Sequence, residues 1–259
     1  MYLQEFFAGL DDDVQGCIRC RNAQPFPHRL KVAFQPIVDV TRREVFAYEA
    51  LIRGANGESA ATVLAAVQPD QTYTFDQTCR VLAIDTAQRL GMKEYLSINF
   101  LPNAVYEPAT CIRLTLLAAH KVGFPPDKLI FELTEAERIN NPAHALRIVK
   151  DYQMRGFLTA IDDFGAGYSG LNLLAEFQPH IVKLDMALTR DIDRDRVRQA
   201  IVGGVLGTCK ALQCRVVAEG VETPGELEQL RSMGVELFQG YLLAKPALEA
   251  LPEPDLRYV

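Results

Sequence analysis

The sequence lacks a long uninterrupted apolar segment. No run approaches the roughly 20 residues that a membrane-spanning helix needs. The first seven residues also lack the basic region and the apolar stretch of a secretory signal peptide. We therefore expect a cytoplasmic protein that does not interact with a membrane.

An excess of positive charge is also missing, because the formal net charge is −6. This argues against a partner such as DNA, RNA or an anionic membrane surface, but it is compatible with a small phosphate ligand held through metal ions. Of the 259 residues, 49% are apolar, which is enough for a large core. The length fits one large α/β domain or two small ones.

Several motifs of common enzyme classes are absent. No Gly-x-Gly-x-x-Gly follows a predicted strand, and no Gly-x-Ser-x-Gly is present, which weighs against a dinucleotide-binding fold and a serine hydrolase. The four histidines, His28, His120, His144 and His180, do not fall at the predicted strand ends where polar residues gather. This distribution weighs against a histidine-based hydrolase.

The six cysteines are scattered, and four of them lie inside apolar runs, as expected for buried free thiols in a reducing compartment. Cys17 and Cys20 form a Cys-x-x-Cys pair near the start. No second pair follows nearby, so a zinc site is not favoured. We interpret the pair as structural or incidental, with a redox or metal role as the alternative.

The chain shows a regular alternation of elements after an irregular extension at residues 1–27. The predicted strands are 30–40, 45–52, 95–100, 128–133, 158–161, 180–184, 215–218 and 237–243, and the predicted helices are 59–67, 75–90, 109–122, 142–154, 170–177, 194–212 and 226–233. The first two strands are joined by a short polar turn and form an antiparallel hairpin. Alternation after the hairpin predicts parallel strands, and eight strands predict a (β/α)₈ barrel with an irregular start. A doubly wound open sheet is the alternative.

Almost every predicted strand carries a charged or amide residue near its carboxyl end. These residues are Glu49, Asn99, Glu132, Asp162, Asp163, Lys183, Glu219 and Gln239. Each alone fits a frayed strand end, and Asp162-Asp163 alone fits a solvated turn. Together they are hard to explain as surface residues, because a barrel brings all its strand ends to one mouth. Five carboxylates, two amides and a lysine there predict a cage for hard divalent ions, with enough carboxylate for two. A two-metal site suits phosphodiester hydrolysis.

These residues belong to a series of short motifs: Gln35-Pro-Ile, Glu49-Ala-Leu-Ile-Arg53, Asn99, Glu132-Leu-Thr-Glu135, Asp162-Asp-Phe-Gly165, Lys183, Glu219-Gly-Val-Glu222 and Gln239-Gly-Tyr241. In this order, the motifs resemble those of the EAL-domain family of cyclic-di-GMP phosphodiesterases. The resemblance runs from about Leu30 to Pro246. It departs from the family at Ala166 and Gly170, where the family often has Thr and Ser, and over 57–77, where the common pattern is not followed.

The resemblance implies a modified (β/α)₈ barrel with one antiparallel strand in an N-terminal hairpin. It divides the chain into an extension at 1–27, a barrel at 28–250 and a tail at 251–259. It also implies hydrolysis of one bond of cyclic-di-GMP to linear pGpG with two Mg²⁺ or Mn²⁺ ions, and a homodimer. Because Ca²⁺ takes longer bonds, we expect it to inhibit. The alternative functions are a catalytically silent cyclic-di-GMP receptor or protein-interaction module, and a two-metal phosphatase for another substrate.

The resemblance also assigns roles to individual residues. The implied metal ligands are Glu49, Asn99, Glu132, Asp162, Asp163 and Glu219. Lys183 would orient the attacking water or stabilise charge, and Gln239 would support the metal–water cluster. Glu135 would brace the loop after Asp163, which the family links to dimerisation and control. Substrate contacts are expected from Gln35, Leu51, Arg53, Asp185 and Glu222.

Overall fold

The computed structural model describes residues 6, 24, 26–105, 107–134, 141–167 and 170–259. The extension at 1–27, with Cys17 and Cys20, falls mostly outside the described residues, and so does Glu135.

Two long strands form the predicted hairpin. Strand β1 is Leu30–Asp39 and strand β2 is Glu44–Gly54, and they pair antiparallel along their whole length. The turn between them is fixed by Asp39, whose Oδ1 accepts the backbone N–H groups of Thr41 and Arg42 at 3.1 and 3.0 Å. Nine of the ten residues of β1 are buried, as expected for a strand covered on both faces.

Helices and strands then alternate. In chain order they are α1 (Ala60–Ala65), α2 (Thr72–Arg89), β3 (Tyr95–Asn99), α3 (Pro108–Val122), β4 (Leu129–Thr134), α4 (Pro142–Met154), β5 (Leu158–Phe164), α5 (Gly170–Glu176), β6 (Ile181–Leu184), α6 (Met186–Thr189), α7 (Arg196–Ala211), β7 (Arg215–Ala218), α8 (Pro224–Ser232), β8 (Leu237–Phe238) and β9 (Ala247–Leu248). Short 3₁₀ turns lie at Pro69–Gln71, Pro102–Ala104, Pro126–Lys128 and Leu256–Tyr258.

The strands close into a barrel, which confirms the predicted fold and excludes the open sheet. Strands β2 to β8 pair in chain order and in parallel. Strand β1 closes the ring, since it pairs antiparallel with both β2 and β8. The additional strand β9 also pairs antiparallel with β1, through Ala33 and Phe34.

Four elements differ from the sequence-based prediction. Strand β5 extends beyond Ile161 to Phe164, and β8 ends at Phe238 instead of Leu243. The chain turns out of the barrel after β8 because Gly240 lies directly against the backbone of Val221, where a Cβ would overlap it. Helix α6 and strand β9 were not predicted.

Apolar residues fill the barrel interior below the strand ends. This inner layer consists of Ile37, Ala47, Ile130, Ala160, Ile181, Val217 and Leu237, all buried. A larger core packs the outer faces of the strands against the helices. No helix within the described ranges has both the length and the apolar character needed to cross a membrane.

The C-terminal residues pack against the hairpin. Tyr48 donates from its hydroxyl group to the carbonyl oxygen of Pro252 at 3.3 Å, and the N–H of Asp255 donates to the carbonyl oxygen of Leu243 at 2.8 Å. Leu256 and Val259 also contact the core. The segment therefore covers a part of the barrel that has no helix between β1 and β2.

Candidate metal centre and substrate cavity

The polar residues of the strand ends point into the barrel because they continue the inner layer. Side chains two residues apart on a strand face the same side. Each parallel strand of the inner layer places a polar residue two positions beyond its apolar one: Ala47 and Glu49, Ile130 and Glu132, Ala160 and Asp162, Ile181 and Lys183, Val217 and Glu219, Leu237 and Gln239. On the antiparallel β1 the order is reversed, from Ile37 back to Gln35. These polar groups therefore form the next layer up, at the mouth of the barrel.

A bulge in β5 allows Asp162 and Asp163 to face the same cavity. The register between β5 and β6 shifts between Ile161 and Phe164, and Asp163 has a φ of 53°. A positive φ is unusual for a residue with a side chain, although Asp tolerates it better than most. The bulge breaks the alternation that would otherwise direct neighbouring side chains to opposite faces. Both carboxylates line the cavity at the mouth.

Lys183 is the centre of the polar cluster. Its side chain is 1% exposed, and its Nζ lies within ion-pair distance of four carboxylates. The distances are 3.2 Å to Glu49, 2.9 Å to Glu132, 2.7 Å to Asp162 and 2.9 Å to Glu219. One ammonium group thus joins carboxylates from β2, β4 and β5 and from the residue that follows β7.

Neutral side chains orient the same carboxylates. Gln239 donates from Nε2 to Oε2 of Glu49 at 2.7 Å, and Asn99 donates from Nδ2 to Oε1 of Glu49 at 3.1 Å. The hydroxyl group of Ser97, fully buried on β3, donates to Oε1 of Glu132. These hydrogen bonds restrict the rotamers of the carboxylates, as outer partners do in metal sites.

Burial and mutual repulsion shift the pKa values of these carboxyl groups. Burial raises the pKa of Glu132 to about 8 and that of Asp162 to about 6; Lys183 opposes the shift, and neighbouring carboxylates add to it. Burial likewise raises the pKa of Glu219 well above its ordinary value, against the attraction of Lys183. At Glu49 burial acts in the same direction, but Lys183 and the amide hydrogen bonds outweigh it, so its pKa is lowered. The cluster contains more carboxyl groups than one lysine can keep ionised.

The donor set fits divalent metal ions. Two groups of three carboxylates, Glu49–Glu132–Asp162 and Asp162–Asp163–Glu219, each offer oxygens within 4.8 Å of one another. They share Asp162, whose buried Oδ1 accepts no well-aligned hydrogen bond even though the ammonium of Lys183 is near. Carboxylate oxygens in this number are the ligands of Mg²⁺ and Mn²⁺. The arrangement therefore fits two ions that share one carboxylate.

A cavity of about 560 Å³ opens above this cluster. Its floor includes Glu49, Asn99, Asp162, Asp163 and Glu219. Its walls are largely apolar and are formed by α1, α2 and the loops after β3, β6, β7 and β8. The volume lies within the range of small-molecule sites, and the combination of apolar walls and a charged floor suits an amphipathic anion.

The family model for the EAL domain matches residues 24–246. The chain belongs to the EAL-domain family.

Curated relatives of this EAL domain include two Escherichia coli K12 proteins. It is 34% identical over 221 residues to the blue light- and temperature-regulated antirepressor BluF, a match that covers 85% of the chain and 55% of BluF. It is 40% identical over 115 residues to the cyclic di-GMP phosphodiesterase PdeR, a match that covers 44% of the chain and 17% of PdeR. The chain thus spans about half the length of these relatives, or less.

Solved structures of EAL proteins superpose well on this chain. A standalone EAL protein of Vibrio cholerae O395 in its c-di-GMP-bound form has a TM-score of 0.87 and 52% identity, covering 90% of this chain and 98% of that one. The manganese/c-di-GMP complex of Klebsiella pneumoniae BlrP1 has a TM-score of 0.82 and 38% identity, covering 90% of this chain and 60% of BlrP1.

The structure brings most of the residues proposed from the EAL sequence into one place. Those that line the cavity are Gln35, Glu49, Leu51, Asn99, Asp162, Asp163, Asp185, Glu219, Glu222 and Gln239. Glu132 and Lys183 lie below them and contact them directly. Arg53 is not among the lining residues described, and its Nη1 donates to the carbonyl oxygen of Ile52 at 2.8 Å. Its role in substrate binding stays a prediction, as does that of Glu135.

Sequence reasoning missed much of the cavity wall. Ala60, Leu64, Phe75, Asp76, Cys79 and Met186 line it, and so does Tyr241, which belongs to the Gln239-Gly-Tyr241 motif but was given no role. The first five lie in the part of the EAL domain that departs from the common family pattern or directly beyond it, so no motif marked them. It also missed Ser97, which precedes Asn99 by the same two-residue step that marks the other strands.

Proposed function

We propose that this EAL domain hydrolyses one phosphodiester bond of cyclic-di-GMP to give linear 5′-pGpG. The observation that carries the proposal is the pair of carboxylate triads that share Asp162 at the floor of the cavity. Its support from relatives is that the Vibrio and Klebsiella proteins are described with c-di-GMP, and PdeR is named as a cyclic di-GMP phosphodiesterase.

In the proposed reaction, a water oxygen forms a bond to phosphorus while the bond from phosphorus to the 3′ oxygen breaks. The leaving oxygen takes up a proton. Two Mg²⁺ or Mn²⁺ ions, held by Glu49, Asn99, Glu132, Asp162, Asp163 and Glu219, would activate the water and offset negative charge.

The chain's own residues keep this site rigid and charged. Gln239 and Asn99 hold both oxygens of Glu49, so this carboxylate does not need to reorganise during the reaction. Lys183 places a buried positive charge among the ligands, where we propose that it orients the water or stabilises the charge of the transition state. Gln35, Leu51, Asp185 and Glu222 line the cavity, and we propose that they contact the nucleotide.

The proposal is tested by incubating the purified protein with cyclic-di-GMP and Mn²⁺ or Mg²⁺, with and without EDTA, and separating the products by chromatography. We expect metal-dependent formation of pGpG. Glu49→Gln should lower the rate by at least about 100-fold. Glu44→Gln is the matched control, since Glu44 is exposed at the opposite end of the same strand. Equal rates in the two variants would contradict a ligand role for Glu49.

Replacement of Mg²⁺ by Ca²⁺ is a separate prediction of the proposed two-metal site. Ca²⁺ prefers bonds of about 2.3–2.6 Å, whereas Mg²⁺ prefers about 2.0–2.1 Å and a strict octahedron. We expect Ca²⁺ to bind and to inhibit, measured as loss of pGpG formation when Ca²⁺ is titrated against a fixed Mg²⁺ concentration. Full turnover in Ca²⁺ alone would contradict a tight two-metal site.

A second candidate function is a cyclic-di-GMP receptor or interaction module without turnover. The observation that favours it is the long match to BluF, which is named as an antirepressor. Tight binding of cyclic-di-GMP without product in both Mg²⁺ and Mn²⁺ would support this function over hydrolysis.

A homodimer and a cytoplasmic location complete the proposal. Both rest on the resemblance and on the sequence. Analytical ultracentrifugation of the purified protein tests the first, and a monomer at micromolar concentration would contradict it. Fractionation of cells that produce the full protein tests the second.

A further inference from the structure

A buried ion pair that includes one residue of the cavity wall lies outside the metal cluster. Asp76 and Arg80, one turn apart on α2, are joined by a contact of 2.8 Å, with side chains 1% and 0% exposed. Arg80 also donates from Nη1 to the hydroxyl group of Tyr152 at 2.9 Å, and its guanidinium lies 5.5 Å from the ring centres of both Phe100 and Phe131.

A contribution to stability alone does not explain why this ion pair is buried. Burying both charges costs desolvation energy, so a buried ion pair is often no more stable than apolar residues of similar size. Burial raises the pKa of Asp76 above its ordinary value even though Arg80 opposes the shift. The same helix carries a second pair with the same spacing, Asp85 and Arg89, which is partly exposed to water.

Asp76 is hydrogen-bonded to the backbone close to two candidate metal ligands, Asn99 and Glu132. Asp76 accepts a hydrogen bond on Oδ1 from the backbone N–H of Leu101 at 2.9 Å, two residues after Asn99. The N–H of Phe100 in turn donates to the carbonyl oxygen of Glu132 at 3.1 Å. Asp76 and Leu101 also line the cavity.

The aromatic residues that Arg80 contacts are direct neighbours of the same two candidate metal ligands, Asn99 and Glu132. Phe100 directly follows Asn99, and Phe131 directly precedes Glu132. Both rings also contact the ring of Tyr152 on α4, with centroid distances of 5.6 and 4.7 Å. The guanidinium therefore connects α2, α4 and the ends of β3 and β4 through one fixed planar group.

We propose that Asp76 and Arg80 are positioning residues of the metal centre, which hold the ends of β3 and β4 so that Asn99 and Glu132 face the metal ions. The pair acts through the backbone and the aromatic rings, without contact with the reacting atoms. This inference rests on the proposed function, because it assigns the pair to the same metal site.

The test is the double variant Asp76→Leu/Arg80→Met, which removes both charges together and leaves no unpaired one. Mn²⁺ binding is measured directly, from the electron paramagnetic resonance signal of the free ion, so that the readout does not require turnover. We expect Mn²⁺ to bind about 10- to 100-fold more weakly than in the wild type, as for other residues that orient metal ligands. We also expect kcat at saturating Mn²⁺ to fall more than KM for cyclic-di-GMP changes.

The matched control is Asp85→Leu/Arg89→Met, which removes the pair of the same spacing on the same helix. Because that pair is partly exposed and neither residue lines the cavity, Mn²⁺ affinity and kcat should stay within about twofold of the wild type, as for surface pairs in general. Circular dichroism and thermal unfolding show whether each variant is folded.

A folded Asp76→Leu/Arg80→Met variant with wild-type Mn²⁺ affinity would overturn the inference and leave the pair a structural feature. If the double variant does not fold, Arg80→Lys decides the question, since it keeps a positive charge for Asp76 but a single ammonium cannot also hold Tyr152 and stack between the two rings. We expect several-fold weaker Mn²⁺ binding in Arg80→Lys; unchanged affinity would overturn the inference. A wild-type protein that binds no Mn²⁺ would instead refute the proposed function, and this inference with it.

Discussion

Lys183 shows how one residue can serve both the fold and the site. Its ammonium group lies within 3.2 Å of four carboxylates that come from β2, β4, β5 and the end of β7. Without it, these buried carboxylates would face one another with no ion-pair partner among the residues that the structure describes. Its contribution to the stability of the metal-free protein and its contribution to the reaction can be separated by adding or removing metal.

We predict that Lys183→Met destabilises the metal-free protein and that metal restores much of the loss. Removing one partner of a buried ion cluster costs about 3–5 kcal/mol, which corresponds to a fall in Tm of about 10 °C for a domain of this size. Thermal unfolding in EDTA and in Mn²⁺ measures both effects, and Mn²⁺ should raise the Tm of the variant more than that of the wild type. Lys150→Met, at an exposed position of α4, is the control. An unchanged Tm in EDTA would show that Lys183 is not the counter-ion of the cluster.

Single residues differ in how well the sequence predicts them. Glu132 and Lys183 were predictable, because a charged residue inside an apolar strand has to be paired or placed at a site. Asp76 and Arg80 were not, since an Asp and an Arg four residues apart on a helix are typical of a solvent-exposed face. Asp85 and Arg89 have that same spacing and are partly exposed. Burial of the first pair depends on Phe100, Phe131 and Tyr152, which are distant in sequence.

At the scale of the element, the bulge in β5 determines which side chains reach the cavity. The sequence predicted a strand that ends at Ile161, so that both Asp residues would follow it at the mouth of the barrel. In the structure the strand continues, and the change of face comes from the positive φ of Asp163 and the register shift against β6. A register shift depends on the neighbouring strand, so local sequence patterns do not reveal it.

We predict that Asp163→Asn and Asp163→Val separate the conformation of the bulge from its charge. Asn tolerates a positive φ about as well as Asp, so Asp163→Asn should keep the Tm within about 2 °C of the wild type and weaken Mn²⁺ binding at least tenfold. A β-branched residue is strained at φ 53°, so Asp163→Val should also cost about 1–3 kcal/mol in the free energy of unfolding. Calorimetry gives the Tm and the free energy of unfolding of each variant, and Mn²⁺ titration gives its affinity for the metal. Equal stability of the two variants would mean that the bulge relaxes without strain.

Helix α8 begins with a carboxylate that joins two loops of the barrel mouth. Glu226 is buried and accepts the N–H groups of Asp191, Glu222 and Thr223 at 2.9, 2.9 and 3.0 Å. Thr223 in turn accepts the N–H of Glu226 at 3.2 Å, which completes a capping box. Burial favours the neutral form of Glu226, but the three backbone donors outweigh it and lower its pKa.

We predict a pH-dependent effect of Glu226→Gln. Because the pKa of Glu226 is lower in the folded state than in the unfolded state, its contribution to stability is present above the ordinary pKa of about 4.3 and is lost as pH falls through the folded value. The free energy of unfolding should therefore be lower in the variant by about 1–3 kcal/mol at pH 7, and the difference should shrink towards zero below pH ~4. Urea unfolding at several pH values measures this, with Glu228→Gln on the same helix as control. A difference that does not depend on pH would contradict the role of the charge.

At the scale of the whole molecule, the hairpin of β1 and β2 is an exception to the alternation of strands and helices in the barrel. Strand β1 is followed directly by β2, without the helix that covers the outside of the barrel after most other strands. The sequence predicted this hairpin from the short polar turn. Residues 251–259 were predicted to lie outside the barrel as a tail, since nothing in their local pattern indicates which part of the chain they contact.

The last prediction concerns this tail. Deletion of residues 251–259 removes the bonds to Tyr48 and Leu243 and the packing of Leu251, Leu256 and Val259 against the core. We expect the Tm to fall by several degrees, as follows from exposing partly buried apolar side chains. None of these residues lines the cavity, so kcat should stay within about twofold of the full chain. Differential scanning calorimetry and the pGpG assay measure the two quantities.

Arg257→Ala is the control for the deletion, because the side chain of Arg257 is exposed and its hydrogen bonds go to Asp255 within the tail itself. If the deletion leaves the Tm unchanged, the contacts of the tail do not stabilise the hairpin. The barrel then ends at residue 250, as predicted from the sequence. If the Tm falls while Mn²⁺ affinity and kcat stay close to those of the full chain, the tail covers β1 and β2 and stabilises them. It would then belong to the fold in the same sense as the helices that cover the other strands, although it has no share in the chemistry at the mouth.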